Sequence, residues 1–380
     1  MDNLTHSFIG LASAKAGLDR LSPYATSVCV VSANIADADT VTALFGDRWT
    51  VLQHHRGITH SIVATIAIGF LIPAVALAIE RVVVKVRRRA PSIRFRGLLV
   101  ASLIAAATHP LLDWTNNYGV RPFLPWSGRW LYGDLVFIVD PYIWLMLGGV
   151  VFLLTSTSKL KTVGWSILGL GITALIGLAG WRSGPDGASL RVAFIIWIAG
   201  LALIAVLRSS GLQQRFGRTA AVLVLAQIVV YWGILAAFHV TAVANASTTA
   251  SNIASSRGER LVRVVAMPLA ANPFRWQSIA ETDLAMYRFI VAAPTTGHSE
   301  IPAFVRYEKP QGLDNQLVSL AERDRRARTL LGFARFPIAR VDANNCVGQA
   351  LVQFADLRYT EPGVSRGNFS VSIPVECPVP

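Results

Sequence analysis

The stretch SIVATIAIGFLIPAVALAIERVVVKVRRR, residues 61–89, decides the fold of this chain. Up to about residue 84 it is apolar and long enough to cross about 30 Å of hydrocarbon as a helix. It ends in KVRRR (residues 85–89), the start of the most basic segment of the sequence. Because basic loops of membrane proteins stay on the cytoplasmic side, the stretch predicts a membrane-spanning helix and its orientation.

The rest of the chain has the composition of a polytopic membrane protein. Of its 380 residues, 53% are hydrophobic and only 15% are charged, which excludes an ordinary soluble globular protein. Two shorter apolar segments, 7–18 and 24–36, are each too short to cross alone, so they are either tilted spans or a re-entrant hairpin. We therefore expect a mainly α membrane fold with these two short N-terminal helices and six spans. The spans are 61–84, 97–113, 137–156, 163–181, 190–207 and 219–240.

Charge bias sets the predicted topology in the inner (cytoplasmic) membrane. With residues 85–96 in the cytoplasm, alternation puts the basic connections near Lys159 and Arg208 there too, and the connections 114–136 and 182–189 outside. The net charge of +13 is then explained by basic residues in cytoplasmic loops and near anionic lipid, so no nucleic-acid partner is expected. Everything after residue 240 is predicted to be extracytoplasmic.

The sequence changes to a polar, mixed composition after Val240, and residues 241–380 are predicted to form a soluble, β-rich α+β domain that could bind a protein partner. A helix is predicted over 315–331, and Cys346 and Cys377 could form a disulfide in an oxidising compartment. The predicted domains are thus 1–155, 156–240 and 241–380. Alternating residues predict strands in 261–265, 351–359 and 369–373.

Three Thr-His pairs lie where an apolar segment begins or ends, at residues 5–6, 59–60 and 108–109. Polar groups at the edge of hydrocarbon are costly and usually functional. His109 and Asp113 are four residues apart at the end of a predicted helix, so both could hold one cation. The alternative for this pair alone is a histidine bonded to a backbone carbonyl beside a capping aspartate.

Two further motifs add candidate ligands. In an extended backbone Asp37 and Asp39 point the same way, although for this pair alone a loop with a helix N-cap is the safer interpretation. In HRGITHS (residues 55–61), His55 and His60 can converge only if Gly57 breaks the backbone, with Thr59 as the N-cap of the following helix.

Together these residues predict a metal site. Imidazoles and carboxylates without cysteine suit zinc, and manganese or iron as well. The set exceeds what one tetrahedral ion needs, so we expect two or more divalent ions and a metal-activated water. Its predicted members are His6, Asp37, Asp39, His55, His60, His109 and Asp113.

Arg121 and Asp140 are candidates for catalytic roles beside this set. The guanidinium of Arg121 could clamp an anionic substrate, or serve as an interfacial arginine. Asp140 could orient a histidine, bind metal or cap a helix, and Asp37, Asp39 or Asp140 could take the proton of the water. His239 and His298 are interpreted as structural or solvated.

These motifs resemble the YdjM-like family of membrane-bound proteins with an inferred metal-dependent hydrolase site. The resemblance covers about the first 155 residues, and its specific elements are HRGITHS and His109-x-x-Leu112-Asp113. It extends to Thr5-His6, the two aspartates of 37–39, the loop of Tyr118-Gly119-x-Arg121 and Val139-Asp140-Pro141. The resemblance implies an inner-membrane protein with a metal-dependent hydrolase site.

The function predicted from the sequence is therefore hydrolysis, through a metal-activated water, of a lipid-linked or membrane-associated phosphoester or ester. The alternative is a non-catalytic membrane sensor or regulator with a structural metal site and a partner-binding domain in 241–380. Metal transport is less favoured, because the candidate ligands cluster near one membrane face.

Overall fold

The structure is a computed structural model that describes residues 1–295, 302–343, 348–364 and 369–377. It divides into two compact units, which we call the helical unit and the mixed unit. The helical unit comprises Met1–Ala38, Arg56–Ala236 and Pro268–Pro273. The mixed unit comprises Asp39–His55, Ala237–Met267 and the chain from Phe274 onward.

Eleven α-helices occur within the described residues. The ninth contributes to both units and contains a kink at Gly217. Short 3-10 turns at Ile35–Leu44 and Ile58–His60 connect α2 with α3 and α3 with α4. The helices are α1 Asn3–Lys15, α2 Ala25–Asn34, α3 Arg48–His54, α4 Ile62–Arg87, α5 Phe95–Trp114, α6 Pro141–Thr155, α7 Lys159–Arg182, α8 Ala188–Ser209, α9 Leu212–Ser256, α10 Gly312–Ala321 and α11 Arg325–Phe333.

The predicted polytopic helical fold is confirmed, with one difference in the count of spans. Among the described residues, α4, α5, α7, α8 and the part of α9 from Phe216 are long and apolar enough to cross a membrane. The third predicted span, 137–156, is instead the shorter helix α6, whose 15 residues extend about 22 Å. It begins late because Asp140 caps the helix and Pro141 occupies its first turn.

The two short N-terminal helices pack closely in the helical unit. A Cβ atom on Gly10 of α1 would lie only 2.9 Å from the carbonyl oxygen of Cys29 in α2, so a glycine is needed at this contact. The hydroxyl groups of Ser32 in α2 and Ser102 in α5 lie 2.8 Å apart. Small side chains let membrane helices approach one another in this way. This packing brings the start of α1 and the end of α2 beside α5.

The mixed unit confirms the predicted β-rich region. Its four-stranded sheet has the order β1-β2-β3-β4 and its three-stranded sheet the order β5-β6-β7, and the pairs β2–β3, β3–β4, β5–β6 and β6–β7 are antiparallel. Buried Trp276 and Tyr287 lie in the core of the first sheet. The strands are β1 Leu261–Leu269, β2 Asn272–Thr282, β3 Ala285–Ala292, β4 Phe304–Glu308, β5 Pro337–Asp342, β6 Gln349–Asp356 and β7 Ser370–Glu376.

One predicted element of this region is wrong. The helix expected over 315–331 is two helices, because the chain leaves α10 after Ala321 and restarts at Arg325. The carboxylate of Asp324 accepts a hydrogen bond from the backbone N–H of Arg326 and caps α11. Cys346 and His298 lie outside the described residues, so the disulfide with Cys377 stays a prediction.

Candidate metal centre

Four side chains from three parts of the helical unit converge on one buried point. Asp37 lies on the 3-10 turn that follows α2, and His60 ends the turn that precedes α4. His109 and Asp113 lie one helical turn apart near the end of α5. One ligand atom from each of these four residues lies within 4.8 Å of the others.

The separations between these atoms match a tetrahedral metal site. His60 Nε2 lies 3.3 Å from Asp37 Oδ1, 3.2 Å from Asp113 Oδ2 and 3.0 Å from His109 Nε2. His109 Nε2 lies 3.6 Å from Asp37 Oδ1 and 3.4 Å from Asp113 Oδ2. Bonds of about 2.0 Å in a tetrahedral zinc site place the ligand atoms about 3.3 Å apart. Five of the six separations between the four atoms therefore already have the spacing that one ion requires, and the sixth, between the oxygens of Asp37 and Asp113, is within 4.8 Å.

Hydrogen bonds outside the cluster turn both imidazoles toward its centre. His109 Nδ1 donates to the carbonyl oxygen of Ala33 at 2.7 Å, so that Nε2 of a neutral ring would offer its lone pair to a metal ion. His60 Nδ1 lies 3.0 Å from Thr59 Oγ1. Asp113 Oδ2 is buried and accepts no hydrogen bond from the residues that the structure describes. This orientation of ring nitrogens by outer partners is typical of metal-bound histidines.

Thr59 therefore has a different role from the predicted one. Residues 58–60 form a 3-10 turn before α4, so the N-cap of that helix is Ser61, whose Oγ accepts from the N–H of Ala64 at 3.1 Å. Thr59 instead contacts the ring of His60. Gly57 precedes this turn, as the predicted break in the backbone requires.

The second oxygen of Asp113 faces positive charge. Arg56 Nη2 lies 2.9 Å from Asp113 Oδ1, and the α-amino group of Met1 contacts the same oxygen. Arg56 is 1% exposed, and its Nη1 donates to the carbonyl oxygens of Asp113 and Gly119 and to Asn116 Oδ1. Arg56 thus orients the carboxylate and compensates its charge. The prediction from sequence missed this role, although Arg56 lies within HRGITHS.

The histidines of the cluster favour the charged form of Asp37 when no metal is bound. Burial raises the pKa of Asp37, but hydrogen bonds from His109 and His60 outweigh burial and hold the pKa well below its usual range. The side chain of Asp37 is 8% exposed, whereas those of His60, His109 and Asp113 are 0–1% exposed. Asp37 is therefore the least buried member of the cluster.

His6 lies against the cluster but outside the set of four. Its ring stacks on that of His109, with centroids 3.9 Å apart, and its Nε2 lies 3.4 Å from Asp113 Oδ1. Neither ring nitrogen forms a hydrogen bond within the part of the chain that is described. Burial lowers the pKa of His6 to about 3, so the ring is neutral. His6 is placed to pack and orient His109.

Asp39 and His55, also predicted as ligands, belong to the mixed unit. Asp39 Oδ1 lies 3.0 Å from His55 Nδ1. The side chain of Asp39 is 5% exposed and that of His55 is 24% exposed. The two aspartates of residues 37–39 thus each face one histidine of HRGITHS, Asp37 with His60 and Asp39 with His55.

The two candidate catalytic residues have separate positions. Arg121 lies near the centre, because its Nε donates to the carbonyl oxygen of Arg56 at 3.4 Å and its guanidinium lies 4.6 Å from the ring centroid of Trp130. Asp140 caps α6 and accepts a hydrogen bond from the hydroxyl of Tyr231 at 3.0 Å. The contacts of Asp140 thus match the capping alternative. His239 Nε2 bonds the carbonyl oxygen of Ala266, which is a structural contact.

Comparisons with known proteins agree with the N-terminal motifs. Residues 1–184 match the family described as YdjM inner membrane protein, so the predicted resemblance is confirmed for this part of the chain. The uncharacterized protein YfhP of Bacillus subtilis (strain 168) is 28% identical over 153 residues, which is 38% of this chain and 43% of that protein. The chain thus spans less than half the length of this relative. No solved structure matches the chain.

Proposed function

We propose that residues 1–184, which match the YdjM inner membrane protein family, form a metal-dependent hydrolase centre in the membrane. The observation that carries the proposal is the tetrahedral spacing of the ligand atoms of Asp37, His60, His109 and Asp113. The proposed substrate is a lipid-linked or membrane-associated phosphoester or ester. By charge bias the proposed site faces the extracytoplasmic side.

The donor set suits a divalent transition metal. Two imidazole nitrogens and two carboxylate oxygens favour zinc, and manganese or iron accept the same ligands. When bound, such an ion lowers the pKa of a coordinated water and polarises an ester or phosphoryl oxygen. Asp37, His60, His109 and Asp113 would hold it. A second ion, if present, requires ligands beyond these four.

The other residues around the cluster have separate roles in the proposal. The carboxylate of Asp37, the least buried of the four ligands, is placed to accept a proton from the attacking water. Arg56 holds Asp113, and His6 packs against His109. Arg121 lies at the carbonyl of Arg56, and its planar guanidinium can pair with an anionic substrate group.

Exposed apolar side chains beside His60 support a substrate that arrives from the lipid. Ile58 and Ile62, two residues either side of His60, are each 51% exposed. The backbone N–H of Ile62 donates to the carbonyl oxygen of Pro122, which joins the loop containing Trp126, 80% exposed, to this corner. Apolar and tryptophan side chains at the end of a span are typical of the membrane interface.

A second candidate is the non-catalytic regulator with a structural metal. Four protein ligands complete a tetrahedral shell, and closed shells are typical of structural zinc, whereas catalytic zinc keeps one position for water or substrate. For hydrolysis, one of the two carboxylates would have to give up its place to the attacking water. Asp37, as the more exposed of the two carboxylates, is the one we expect to do so.

The test uses full-length protein in detergent, loaded with zinc and assayed with bis(p-nitrophenyl) phosphate, p-nitrophenyl butyrate and a fluorescent phosphatidylglycerol. We expect turnover that a chelator abolishes and that Asp37→Ala lowers by about a hundredfold, the usual scale for an acid-base group. His54→Ala is the matched control, because His54 is exposed and outside the cluster. Fully metal-loaded protein that turns over none of these would support the regulator instead.

A further inference from the structure

An apolar cavity in the helical unit, separate from the metal cluster, has the features of a lipid site. Its volume is about 560 Å³ and it lies between α1, α6, α7 and α8. Ordinary ligand pockets have volumes of about 300–1,000 Å³. Aromatic and aliphatic side chains make up most of its wall. Among them are Phe8, Trp144, Phe152, Trp165, Trp197 and Leu201.

Glycine at position 169 keeps this cavity wide. Gly149 lets α6 pack closely against Ile204 of α8, since a Cβ there would lie 2.7 Å from Ile204 Cδ1. A Cβ on Gly169, by contrast, would meet no described atom within 4 Å, although Gly169 lines the cavity. A large side chain at Gly169 would therefore extend into the open space without an initial clash.

One end of the cavity carries a fixed positive charge. Arg208 lines it and donates from Nη1 to Ser156 Oγ at 2.6 Å and from Nη2 to Thr162 Oγ1 at 3.1 Å. Its guanidinium lies 5.2 Å from the ring centroid of Phe152. Lys159 and Lys161, at the start of α7, are close in sequence to Ser156 and Thr162, which accept these hydrogen bonds from Arg208.

The sequence supplies almost no negative charge to this region. From residue 141 to residue 258 the only acidic residue is Asp186, in the connection at the other end of α7 and α8. Arg208 and the two lysines therefore complement an anion and not a zwitterion, whose positive group they would repel. In a lipid environment a hydrocarbon chain gains little by moving from bulk lipid into a groove. Selectivity must then come from the headgroup.

The positive end lies far from the metal centre. Trp144, in the first turn of α6, donates from Nε1 to Thr5 Oγ1, next to His6. Arg208 bonds Ser156, the C-cap of the same helix, about 18 Å along the helix from Trp144. A headgroup at Arg208 is thus at the opposite end of α6 from the ligands, on the side that charge bias assigns to the cytoplasm.

We propose that this cavity binds one acyl chain of an anionic phospholipid whose phosphate pairs with Arg208. The lipid is a structural lipid of the helical unit. It is distinct from the hydrolysed substrate, because its phosphate lies at the C-terminal end of α6 and cannot reach the metal ligands. This site does not depend on the proposed hydrolase activity.

The experiment titrates delipidated full-length protein with phosphatidylglycerol or phosphatidylcholine of identical chains and counts bound lipid by native mass spectrometry. We expect one tight site, preferring phosphatidylglycerol by about fivefold for one juxtamembrane cation. Gly169→Leu should remove this site by filling the cavity. Gly171→Leu is its control, because Gly171 lies on the same helix, is exposed, has no described atom within 4 Å of a Cβ, and is not part of the cavity wall.

A second pair of variants tests the charge. Arg208→Gln should abolish the preference for phosphatidylglycerol, whereas Arg182→Gln, exposed at the other end of α7, should leave it unchanged. Equal binding of both lipids by wild-type protein would overturn the proposal, as would unaltered binding in a folded Gly169→Leu protein. Neither result bears on turnover at the metal centre.

Discussion

Replacement of His60 by alanine tests the metal centre most directly. Its Nε2 faces the other three ligand atoms at 3.0–3.3 Å, so the substitution removes one corner of the tetrahedron. Loss of an outer partner of a metal ligand weakens binding about 10- to 100-fold. Loss of a ligand itself should weaken it at least as much.

The expected change in stability follows from mass action. Free zinc at 100 times the Kd of the wild-type protein stabilises the folded state by about 2.7 kcal/mol. If His60→Ala raises the Kd by 10- to 100-fold, the same free zinc adds only about 0.4–1.4 kcal/mol. His109→Ala should behave alike, because its Nε2 contacts the same two carboxylates.

The assay measures thermal unfolding of full-length protein at chelator-buffered free zinc, together with metal per chain after desalting. His54→Ala, on α3 with an exposed side chain, should retain the wild-type shift and stoichiometry. The four-ligand centre is refuted if His60→Ala and His109→Ala bind as much zinc, and gain as much stability from it, as His54→Ala does. Wild-type protein that binds no transition metal would refute it as well.

Substitutions at four other residues have defined outcomes. Arg56→Met leaves Asp113 buried without its guanidinium and should lower the free energy of unfolding of metal-free protein by about 3–5 kcal/mol, measured in detergent; an unchanged value would contradict the ion pair. Gly10→Leu should lower the free energy of unfolding by about 1–3 kcal/mol through overpacking of α1 on α2, and the control Gly171→Leu should leave it unchanged. Asp356→Asn breaks the buried pair with Arg358 and should cost about 3–5 kcal/mol without altering zinc stoichiometry. Asp140→Asn keeps an N-cap and should retain turnover and stability, whereas Asp140→Ala should cost about 1 kcal/mol, and a large loss of turnover in Asp140→Asn would restore a catalytic role.

Hydropathy predicted most of the fold because membrane helices are encoded by composition alone. The error at 137–156 has a local cause: the apolar run continues upstream of Asp140-Pro141, but the helix cannot, since a capping carboxylate and a proline begin it. The error at 315–331 has the same kind of cause. In the sequence, Asp324 fits the charged, solvent-exposed face of one continuous helix. In the structure, its side chain caps a new helix instead.

The candidate site was predictable where spacing along one element determines proximity. His109 and Asp113, four residues apart on α5, reach one point because a helix turns once in that distance. Asp37 and His60 lie on separate 3-10 turns, and only their tertiary packing brings them to 3.3 Å. Arg56 could not be found by a search for ligands, since a guanidinium binds no metal, and its buried contacts with Asp113 and Asn116 exist only in the folded chain.

The three Thr-His pairs, equivalent in sequence, have different roles in the structure. Thr59 contacts the ring of its own histidine and orients it, whereas Thr108 bonds the carbonyl oxygen of Ala105 and leaves the orientation of His109 to Ala33. Thr5 Oγ1 accepts a hydrogen bond from the indole N–H of Trp144, which connects α1 with α6. The ring of the next residue, His6, stacks on that of His109. Only two of the three histidines thus belong to the tetrahedral set, and the third supports one of them. His6→Phe should therefore preserve zinc stoichiometry while His60→Phe abolishes it, and equal loss in both variants would make His6 a ligand.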